Sequence, residues 1–396
     1  MKLASMVILF FSIQFSYLNA SERVLYPFQI KNLSYIGAFR IPVETFGESR
    51  MGYAKGTFTL SSNYKSIFVT GHTHHKAVAQ FSIPEIINSN NIKELKMANM
   101  IQPFSTVFNR VSNGNKQNIN IITGMKHIGN ELIINGAEYY DANGDTTDTT
   151  IIIRNSRDLK NSEIHGFFKI QGAAHAAGWI SRVPSEWQDT LSTEWLTGFA
   201  SNLPINGRSS IGPTAFSFFP FGVLESQEQT GLIISEQMLG YSLKYPLHKD
   251  RYNEKGQNNL WTELSAAIYG FIVPNTSSYL VIGTSGGHHS GIGYKITQDN
   301  GRLCGGPCSK KHNDFSNHYW LWDVNEMADV KSGKYKPYEI MPQQYGVFDK
   351  LRPGWRPLGA DFDPKHNLLF VLYSKIDGKQ SRHEKAPLMS VYKINK

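Results

Sequence analysis

The chain contains little cysteine and no segment that resembles a linker. Among its 396 residues only Cys304 and Cys308 are cysteines, and no Pro/Gly/Ser-rich stretch, charge block or low-complexity tract divides it. Length alone would allow two or three domains, but the missing linker favours one. The chain also lacks a Gly-x-Ser-x-Gly elbow, a Walker loop, a Rossmann glycine fingerprint and a His-Glu-x-x-His motif. These absences argue against nucleotide-dependent enzymes, α/β-hydrolases and zinc metalloproteases.

Long apolar runs are scarce too, and the one near the start has the pattern of an export signal. Lys2 precedes the apolar residues 6–15, and Ala20 supplies a small residue for cleavage. Because the apolar run is too short to span a bilayer, we predict a signal peptide over residues 1–20. The mature protein, residues 21–396, is then secreted or periplasmic, with no membrane segment. An N-terminal membrane anchor is the alternative interpretation.

Short strand-like runs dominate the rest of the chain, and helical signals are few. Runs of β-branched and aromatic residues, each closed by turn residues, occupy 66–71, 131–136, 231–235, 278–283 and 367–373. They predict an all-β fold of radially repeated sheets, a β-propeller in one domain. Removing residues 1–20 from 396 leaves 376, and roughly 45–55 residues per blade predicts seven blades. Terminal strands 33–42 and 388–395 are expected to pair, and residues 184–191 and 325–330 to be helical.

The charge balance is basic. The formal net charge is +8, and loss of Lys2 with the signal peptide leaves +7. An exported basic protein suggests an anionic partner. No Lys/Arg-dense helix and no aromatic RNA-binding signature is present, so we expect an acidic polysaccharide and not nucleic acid. A basic surface with no dedicated partner is the alternative, and a monomer is expected.

The two cysteines lie close to histidines. In the run Cys304-Gly-Gly-Pro-Cys308 the spacing to His312 is four residues, and His288 and His289 precede it. Two cysteines, His312 and one upstream histidine, His289 in our assignment, form the ligand set of a closed structural zinc site. A small disulfide is the competing interpretation, because it suits an exported protein, and free thiols are the third. With zinc or with a disulfide, we interpret the loop as a cross-link that stabilises a long insertion and not as the site of the chemistry.

Several polar residues lie at predicted strand ends. A histidine there is more often structural than catalytic, and in the run 72–75 alternate residues of a strand would face opposite ways, so we assign it no metal. The tyrosines could equally pack between blades. The residues are His72, His74, His75, His127, Tyr139, Tyr140, His175, Arg208, Tyr241 and Tyr245.

Taken together, these residue types suit one reaction. In β-elimination at a uronic acid, an arginine binds the C6 carboxylate and makes the C5 proton more acidic. A neutral histidine or ionised tyrosine then removes that proton, and a tyrosine hydroxyl protonates the leaving oxygen. The reaction needs no cofactor, which agrees with the missing nucleotide motifs.

The motifs also resemble a known family. The order of several short motifs along the chain resembles that in secreted bacterial propellers, among them the ulvan lyases of marine bacteria. The motifs are residues 35–42, 71–72, 80–84, 139–142, 183–188, 208–213 and 245–247. The resemblance covers most of the mature chain. It implies a seven-bladed propeller that cleaves a sulfated rhamnose–glucuronate or iduronate polymer by β-elimination in a canyon on one face, through His, Tyr and Arg.

The resemblance implies a role for particular residues of this chain. Arg208 matches the arginine that neutralises the carboxylate, His127 a catalytic histidine, and Tyr245 the acid or base, with Tyr241 or Tyr140 as alternatives. The family has a second histidine in the site, and this chain has none directly after Tyr139–Asp141. His175 could take the place of that histidine, and we assign His175 and Tyr140 to substrate binding. His288 or His289 with the two cysteines and His312 suits a structural zinc ion in that fold.

Two other functions remain open on the sequence. A glycoside hydrolase on the same scaffold would need a pair of carboxylates at suitable separation. Asp141, Glu138 and Asp361 are the nearest candidates. A propeller that binds acidic glycans without cleaving them is the other, because a fold does not determine a function. The missing second histidine supports it. Trp355 and Arg356 are also candidates for the canyon wall, and they could equally cap a blade.

Overall fold

The protein is an all-β domain, as a computed structural model shows. The structure describes residues 25–141, 143–199, 211–226, 228–352, 354–381, 383–384 and 386–395. The predicted signal peptide therefore lies outside the described residues, and so does Arg208. None of the helices in the described ranges has the length and apolar character needed to cross a membrane.

The strands form five antiparallel meanders of four. Within each, neighbouring strands are hydrogen-bonded in chain order, and the fifth is completed by the N-terminal strand. The first meander contains β2 (Phe58–Leu60), β3 (Ser66–Thr70), β4 (Ala77–Ser82) and β5 (Met100–Thr106); the second β6 (Ile121–Ile128), β7 (Glu131–Ala137), β8 (Asp148–Ile153) and β9 (Ile164–Ile170); the third β10 (Trp179–Arg182), β11 (Trp195–Gly198), β12 (Ala215–Phe219) and β13 (Leu232–Leu239).

The last two meanders have the same plan. The fourth contains β14 (Ala266–Ile272), β15 (Ser278–Gly286), β18 (Phe315–Asp323) and β19 (Gln344–Val347), with a separate hairpin of β16 (Ile292–Tyr294) and β17 (Pro307–Ser309) inserted; the fifth contains β20 (Pro357–Asp363), β21 (Leu368–Asp377), β22 (Ala386–Ile394) and β1 (Leu33–Arg40). The pairing of β1 with β22 confirms that the two ends of the domain close one sheet.

Helices are short and lie between strands. Within the described ranges the α-helices are α1 (Ser185–Leu191), α2 (Phe221–Glu225) and α3 (Val324–Lys331), and the 3-10 turns are Ile30–Asn32, Ile92–Glu94, Phe108–Arg110 and Ala173–His175. The first and last α-helices confirm the two helices expected from the sequence. Asp323 begins α3 by accepting a hydrogen bond from the Asn325 amide at 2.9 Å, as an N-cap residue does.

The first strands of the five meanders form a ring. Strand β2 contacts β6, β6 contacts β10, β10 contacts β14, β14 contacts β20, and β20 contacts β2 again. The second and third meanders also touch through a short parallel pairing of β13 with β9, which joins their eight strands into one sheet. The described residues thus contain five meanders, and the expected count of seven is wrong. The assumed period per repeat was too short, because the connections 240–265 and 287–314 are long.

One carboxylate ties four of the five inner strands together. Asp361 on β20 accepts from Lys126 Nζ on β6 at 2.7 Å and from the Tyr269 hydroxyl on β14 at 3.0 Å. Its other oxygen accepts from the Thr59 hydroxyl and the Leu60 amide on β2, both at 2.8 Å. The first oxygen also accepts from the amide of Phe362, the next residue of its own strand, at 2.8 Å. Asp361 is buried. Its lone pairs are fully used, which is what makes a buried charge tolerable.

We predict that Asp361→Asn lowers the free energy of unfolding by about 3–5 kcal/mol, because it leaves the Lys126 ammonium buried without a counter-charge. Urea denaturation followed by tryptophan fluorescence measures this. The matched control is Asp349→Asn, an exposed aspartate, which should change stability by less than about 0.5 kcal/mol. Equal stability of the two variants would contradict a structural role for Asp361.

Candidate functional site

A cleft opens at the end of the ring where the inner strands begin. Its volume is about 650 Å³, and its walls include the start of β14, the start of β20 and the turn that follows β3. A narrow cavity of about 60 Å³ continues from it between the inner strands. Lys55, just before β2, lines both spaces, so its side chain lies where the cleft meets the axis.

The cleft is lined by basic side chains and by no carboxylate. Lys55, His72, His74, Arg356 and Lys375 all contribute to its wall, and the lining contains neither aspartate nor glutamate. Among the described residues none of these five is in an ion pair. Arg356 and Lys375 carry positive charge without an ion-pair partner, and such cations in a concave surface concentrate positive potential there. The cleft is therefore suited to an anionic ligand.

One acid close to the cleft is already paired. Glu384 forms a salt bridge with Arg50 at 2.9 Å. Its side chain also packs against Gly52, where an added Cβ would lie only 2.5 Å from a Glu384 carboxylate oxygen. Glu384 is thus held by the chain that leads into β2. Its charge acts on His72, where it partly offsets the lowering of the pKa, but it forms no ion pair with Lys55, Arg356 or Lys375 among the described residues.

The amine of Lys55 is electrostatically perturbed. Burial lowers the pKa of Lys55 below its usual value, and the charge of Arg356 lowers it further. Both effects disfavour the ammonium form. A lysine of this kind has more of its neutral amine available near neutral pH than an exposed lysine, and it can therefore act as a base.

The three histidines after β3 form a stacked cluster. The ring centroid of His72 lies 4.6 Å from that of His75 and 5.4 Å from that of His74. The His74 amide donates to His72 Nδ1 at 3.2 Å, so the neutral ring carries its proton on Nε2. Burial, His75 and His74 lower the pKa of His72, in that order. His72 is therefore a neutral hydrogen-bond donor towards the cleft.

The stacking of these histidines differs from the sequence-based expectation. We treated His72, His74 and His75 as strand residues, whose side chains would alternate between two faces. Strand β3 ends at Thr70, and the histidines lie in the following turn. The alternation rule therefore does not apply to them. Ser49 instead anchors the turn, because its hydroxyl lies 2.9 Å from His75 Nδ1 and accepts from the His72 amide at 3.1 Å.

An aromatic side chain completes the wall of the cleft. Tyr53 packs edge-on against His72, with ring centroids 5.8 Å apart, and the Lys375 ammonium lies 6.0 Å from the centre of its ring. Tyr53 and Lys375 both have φ of +56°. For side chains of this size such a conformation costs about 1–3 kcal/mol, and it concentrates at functional sites.

A second cavity lies at the opposite end of the ring and is less charged. It measures about 350 Å³ and is lined by Tyr64, Arg182 and Lys365 above the stacked rings of Phe271 and Phe362. Arg182 faces Glu194 at 3.8 Å. With two cations, one of them near an acid, this cavity is a weaker anion site than the cleft.

His127, our predicted catalytic histidine, lies at that opposite end. It is near the end of β6, whereas the cleft opens where the inner strands begin. Its Nδ1 accepts from the Ser62 amide at 2.9 Å, its Nε2 lies 2.8 Å from the Ser156 hydroxyl, and its ring stacks on Phe68. Both ring nitrogens have partners, so His127 connects two meanders. His127 therefore does not line the cleft, and its catalytic role stays a prediction.

The remaining predicted substrate and catalytic residues do not line the cleft either. Tyr245 stacks on Tyr338 with centroids 3.9 Å apart, outside the cleft. Tyr140 follows β7 and is exposed, and His175 ends the short helical turn before β10, where burial lowers its pKa. The alternative, Tyr241, is buried and donates to the Ile340 carbonyl at 2.6 Å. Arg208 lies outside the described residues, so its position stays a prediction.

The predicted zinc ligands do not form a metal site. Cys304 and Cys308 are joined in a disulfide, which was the competing interpretation. His312 Nδ1 lies 3.0 Å from Asp299 Oδ1, and His289 is exposed, with its amide donating to Asp314. Within the described part of the chain no group of three His, Cys, Asp or Glu side chains is placed to hold a metal ion. The disulfide makes two of the four predicted ligands unavailable to a metal ion, so it stands in place of the predicted Cys/His zinc site.

The carboxylates that a hydrolase would need are occupied elsewhere. Asp361 holds the inner strands together, and Asp141 accepts from the amides of Gly144, Asp145 and Thr146. Glu138 is not part of the cleft lining. A pair of free carboxylates across the cleft is therefore not found among the described residues.

Sequence analysis missed one aromatic and two basic residues of the cleft, namely Tyr53, Lys55 and Lys375. Tyr53 and Lys55 lie in the segment 50–56, between β1 and β2, and no strand end marks them. The signal that could have indicated Tyr53 and Lys55 was the presence of an aromatic and a basic residue directly before an inner strand. Arg356 was recognised as a wall candidate, and it does line the cleft. Trp355 precedes it but is not in the lining.

Comparison with known proteins identifies no relative. A scan against models of protein families and a search of curated proteins each find no match for this chain.

We predict that His127 contributes to stability at neutral pH and loses that contribution in acid. Burial, Lys126 and Arg157 lower the pKa of His127 to about 4, against about 6.5 in an unfolded chain. Between these values the unfolded state binds more protons, so the stabilisation is complete above pH 6.5 and falls by about 1.4 kcal/mol per pH unit towards pH 4. Denaturation of the native protein and of His127→Gln across this range should show a smaller slope in the variant. Parallel slopes would contradict the buried, neutral state.

We also predict that the unreduced protein is lighter by two protons than its reduced form, because Cys304 and Cys308 are bonded. Intact mass spectrometry before and after reduction measures this difference. Metal analysis of the same sample should find less than one zinc ion per chain. Equal masses together with one bound zinc ion would restore the zinc site.

Proposed function

We propose that this protein is an exported five-bladed β-propeller that binds an acidic polysaccharide in the cationic cleft and cleaves it by β-elimination at a uronic acid. The observation that carries the proposal is a cleft lined by five basic side chains and no carboxylate. A uronate polymer carries a negative charge on successive sugars, so it complements such a surface. The basic net charge of +8 agrees with this ligand, and ulvan, suggested by the motif resemblance, is the first substrate to test.

The cleft contains the groups that binding a uronate requires. Arg356 and Lys375 lie on one wall, and a guanidinium can pair with a carboxylate through two parallel hydrogen bonds. Neutralising the carboxylate makes the neighbouring C5 proton more acidic, because the carbanion formed at C5 delocalises onto that group. Arg356 thus takes the role that we had assigned to Arg208.

Lys55 is the base in this proposal, and Tyr53 is the acid. The neutral Lys55 amine accepts the C5 proton, and the C5–H electron pair forms the C4–C5 double bond as the C4–O4 bond breaks. The leaving oxygen takes the hydroxyl proton of Tyr53, and the neutral His72 beside it can donate a hydrogen bond from Nε2 without giving up its proton. Every atom and charge is then accounted for without a cofactor. The lowered pKa of Lys55 supports this role because the reaction needs the unprotonated amine.

We predict that mixing the protein with ulvan raises near-ultraviolet absorbance, owing to the conjugated C4–C5 double bond. Lys55→Met should lower kcat by about 10²–10⁴-fold, the usual effect of removing a general base, with bound ulvan retained. Arg356→Ala should weaken binding and turnover together. The rate of the native protein should rise with pH through the lowered pKa of Lys55, because its amine must be neutral.

The matched controls are Lys93→Met and Arg157→Ala, exposed residues away from the cleft lining, and both should retain native rates. His127→Gln should also retain its rate, which separates this site from our sequence-based one. Saturable binding with no absorbance change would contradict elimination and leave a glycan-binding protein. New reducing ends without absorbance would indicate hydrolysis instead.

A further inference from the structure

We infer that the disulfide-stapled hairpin at residues 287–314 is a second anion-binding surface that holds a polymer chain beyond the cleft. The hairpin is inserted between β15 and β18. This inference rests on the proposed function for the identity of the ligand, and it specifies that ligand as a long chain with many regularly spaced carboxylates or sulfates.

The hairpin begins next to the cleft. Thr284 on β15 lines the cleft, and the strand ends at Gly286, where the insertion starts. Three extended residues from Thr284 to Gly287 span roughly 10 Å. A polysaccharide chain that leaves the cleft on this side therefore passes the base of the hairpin within a few sugar units.

The base of the hairpin is firmly held. Asn253 donates its side-chain amide to the carbonyls of Gly287 and His288 at 2.9 and 2.7 Å. On the other side, Asp314 accepts from the amides of His289 and Ser290 at 3.0 and 2.7 Å. Because both ends are clamped, the hairpin keeps one position relative to the cleft, which reduces the entropy lost on binding.

The outer part of the hairpin is held by its own contacts. Strands β16 and β17 pair from Ile292 with Ser309 to Tyr294 with Pro307. Thr297 and Leu303 form a further bridge. The disulfide between the two cysteines closes the remaining loop. Two short strands alone are marginal in water, so the disulfide gives this exposed segment a defined shape.

The surface of the hairpin is cationic and unpaired. Lys295, Arg302, Lys310 and Lys311 are all exposed. Among the described residues none of the four takes part in an ion pair. The acid within the exposed part, Asp299, is already bound to His312. Four exposed cations without an ion-pair partner on one inserted hairpin attract an extended anion.

An aromatic and an aliphatic side chain lie between these charges. Tyr294 is 59% exposed and Leu303 71% exposed, and the Lys295 ammonium lies 5.4 Å from the centre of the Tyr294 ring. The face of a sugar ring presents C–H bonds that can pack on an exposed aromatic ring, while its acidic substituents reach neighbouring cations. This combination favours a glycan over a ligand recognised by charge alone.

The test compares chains of different length. Dextran sulfate is the probe, because it has no uronic acid and cannot undergo elimination. A variant with Lys295→Ser, Arg302→Ser, Lys310→Ser and Lys311→Ser should bind the long polymer about tenfold or more weakly than native protein in low salt, and the difference should shrink as salt is added. Binding of a short sulfated oligosaccharide, which fits in the cleft, should stay within about twofold of native.

Two controls keep the result specific to the hairpin. The first replaces exposed lysines elsewhere, with Lys31→Ser, Lys93→Ser, Lys160→Ser and Lys393→Ser, and makes the same change in net charge. It should bind long polymer like the native protein. The second keeps the charges, with Lys295→Arg, Lys310→Arg and Lys311→Arg, and should also bind like the native protein. The inference would be overturned if the two serine variants lost affinity for the long polymer equally, or if the hairpin serine variant lost none.

The outcomes separate the inference from the proposed function. Hairpin-dependent binding of long polymer with no elimination of ulvan supports the hairpin and rejects the lyase reaction. Elimination of short uronate oligosaccharides without hairpin-dependent polymer binding supports the lyase reaction and rejects the hairpin as a binding surface. Tighter, hairpin-dependent binding of duplex DNA than of dextran sulfate would overturn the glycan as ligand.

Discussion

The buried carboxylate of Asp361 is the contact on which the arrangement of the inner strands depends. Through Lys126, Tyr269, Thr59 and the Leu60 amide it joins strands from four meanders at one point on the axis. Burial, followed by Asp361, raises the pKa of Tyr269 well above its usual value, so this tyrosine remains a donor. Apolar packing alone would leave the rotation of each meander about the axis less specified. A saturated polar group requires the strands to stand in one register.

The cleft follows from that arrangement. Once the inner strands surround one axis, the segments before them and the turns after the second strands meet at one end, where function commonly resides on loops held by a rigid scaffold. The buried charges on the axis neutralise one another, Lys126 against Asp361. The cations at the mouth have no such partner among the described residues, and Lys55 lies at the boundary between the two environments. An anion is the natural complement of such a mouth.

Much of the fold could be predicted from the chain because strand signals are local. Runs such as residues 278–283 are apolar on both faces, and the structure buries all of β15. The number of meanders was not predictable in the same way, since it depends on how much chain the loops consume. The site was harder still. His127 and His72 both adjoin strands, but sequence does not say at which end of the ring each lies. Tyr53 and Lys55 have no strand signal at all.

The most direct test of the account is the structure of a complex with an acidic oligosaccharide that ends in an unsaturated uronate, the expected product of elimination. The account predicts the uronate carboxylate within hydrogen-bond distance of the Arg356 guanidinium, with C5 facing Lys55 Nζ and C4, from which the leaving oxygen has departed, facing the Tyr53 hydroxyl. A carboxylate bound instead at the opposite end of the ring, beside Tyr64 and Arg182, would contradict the assignment of the cleft as the functional site.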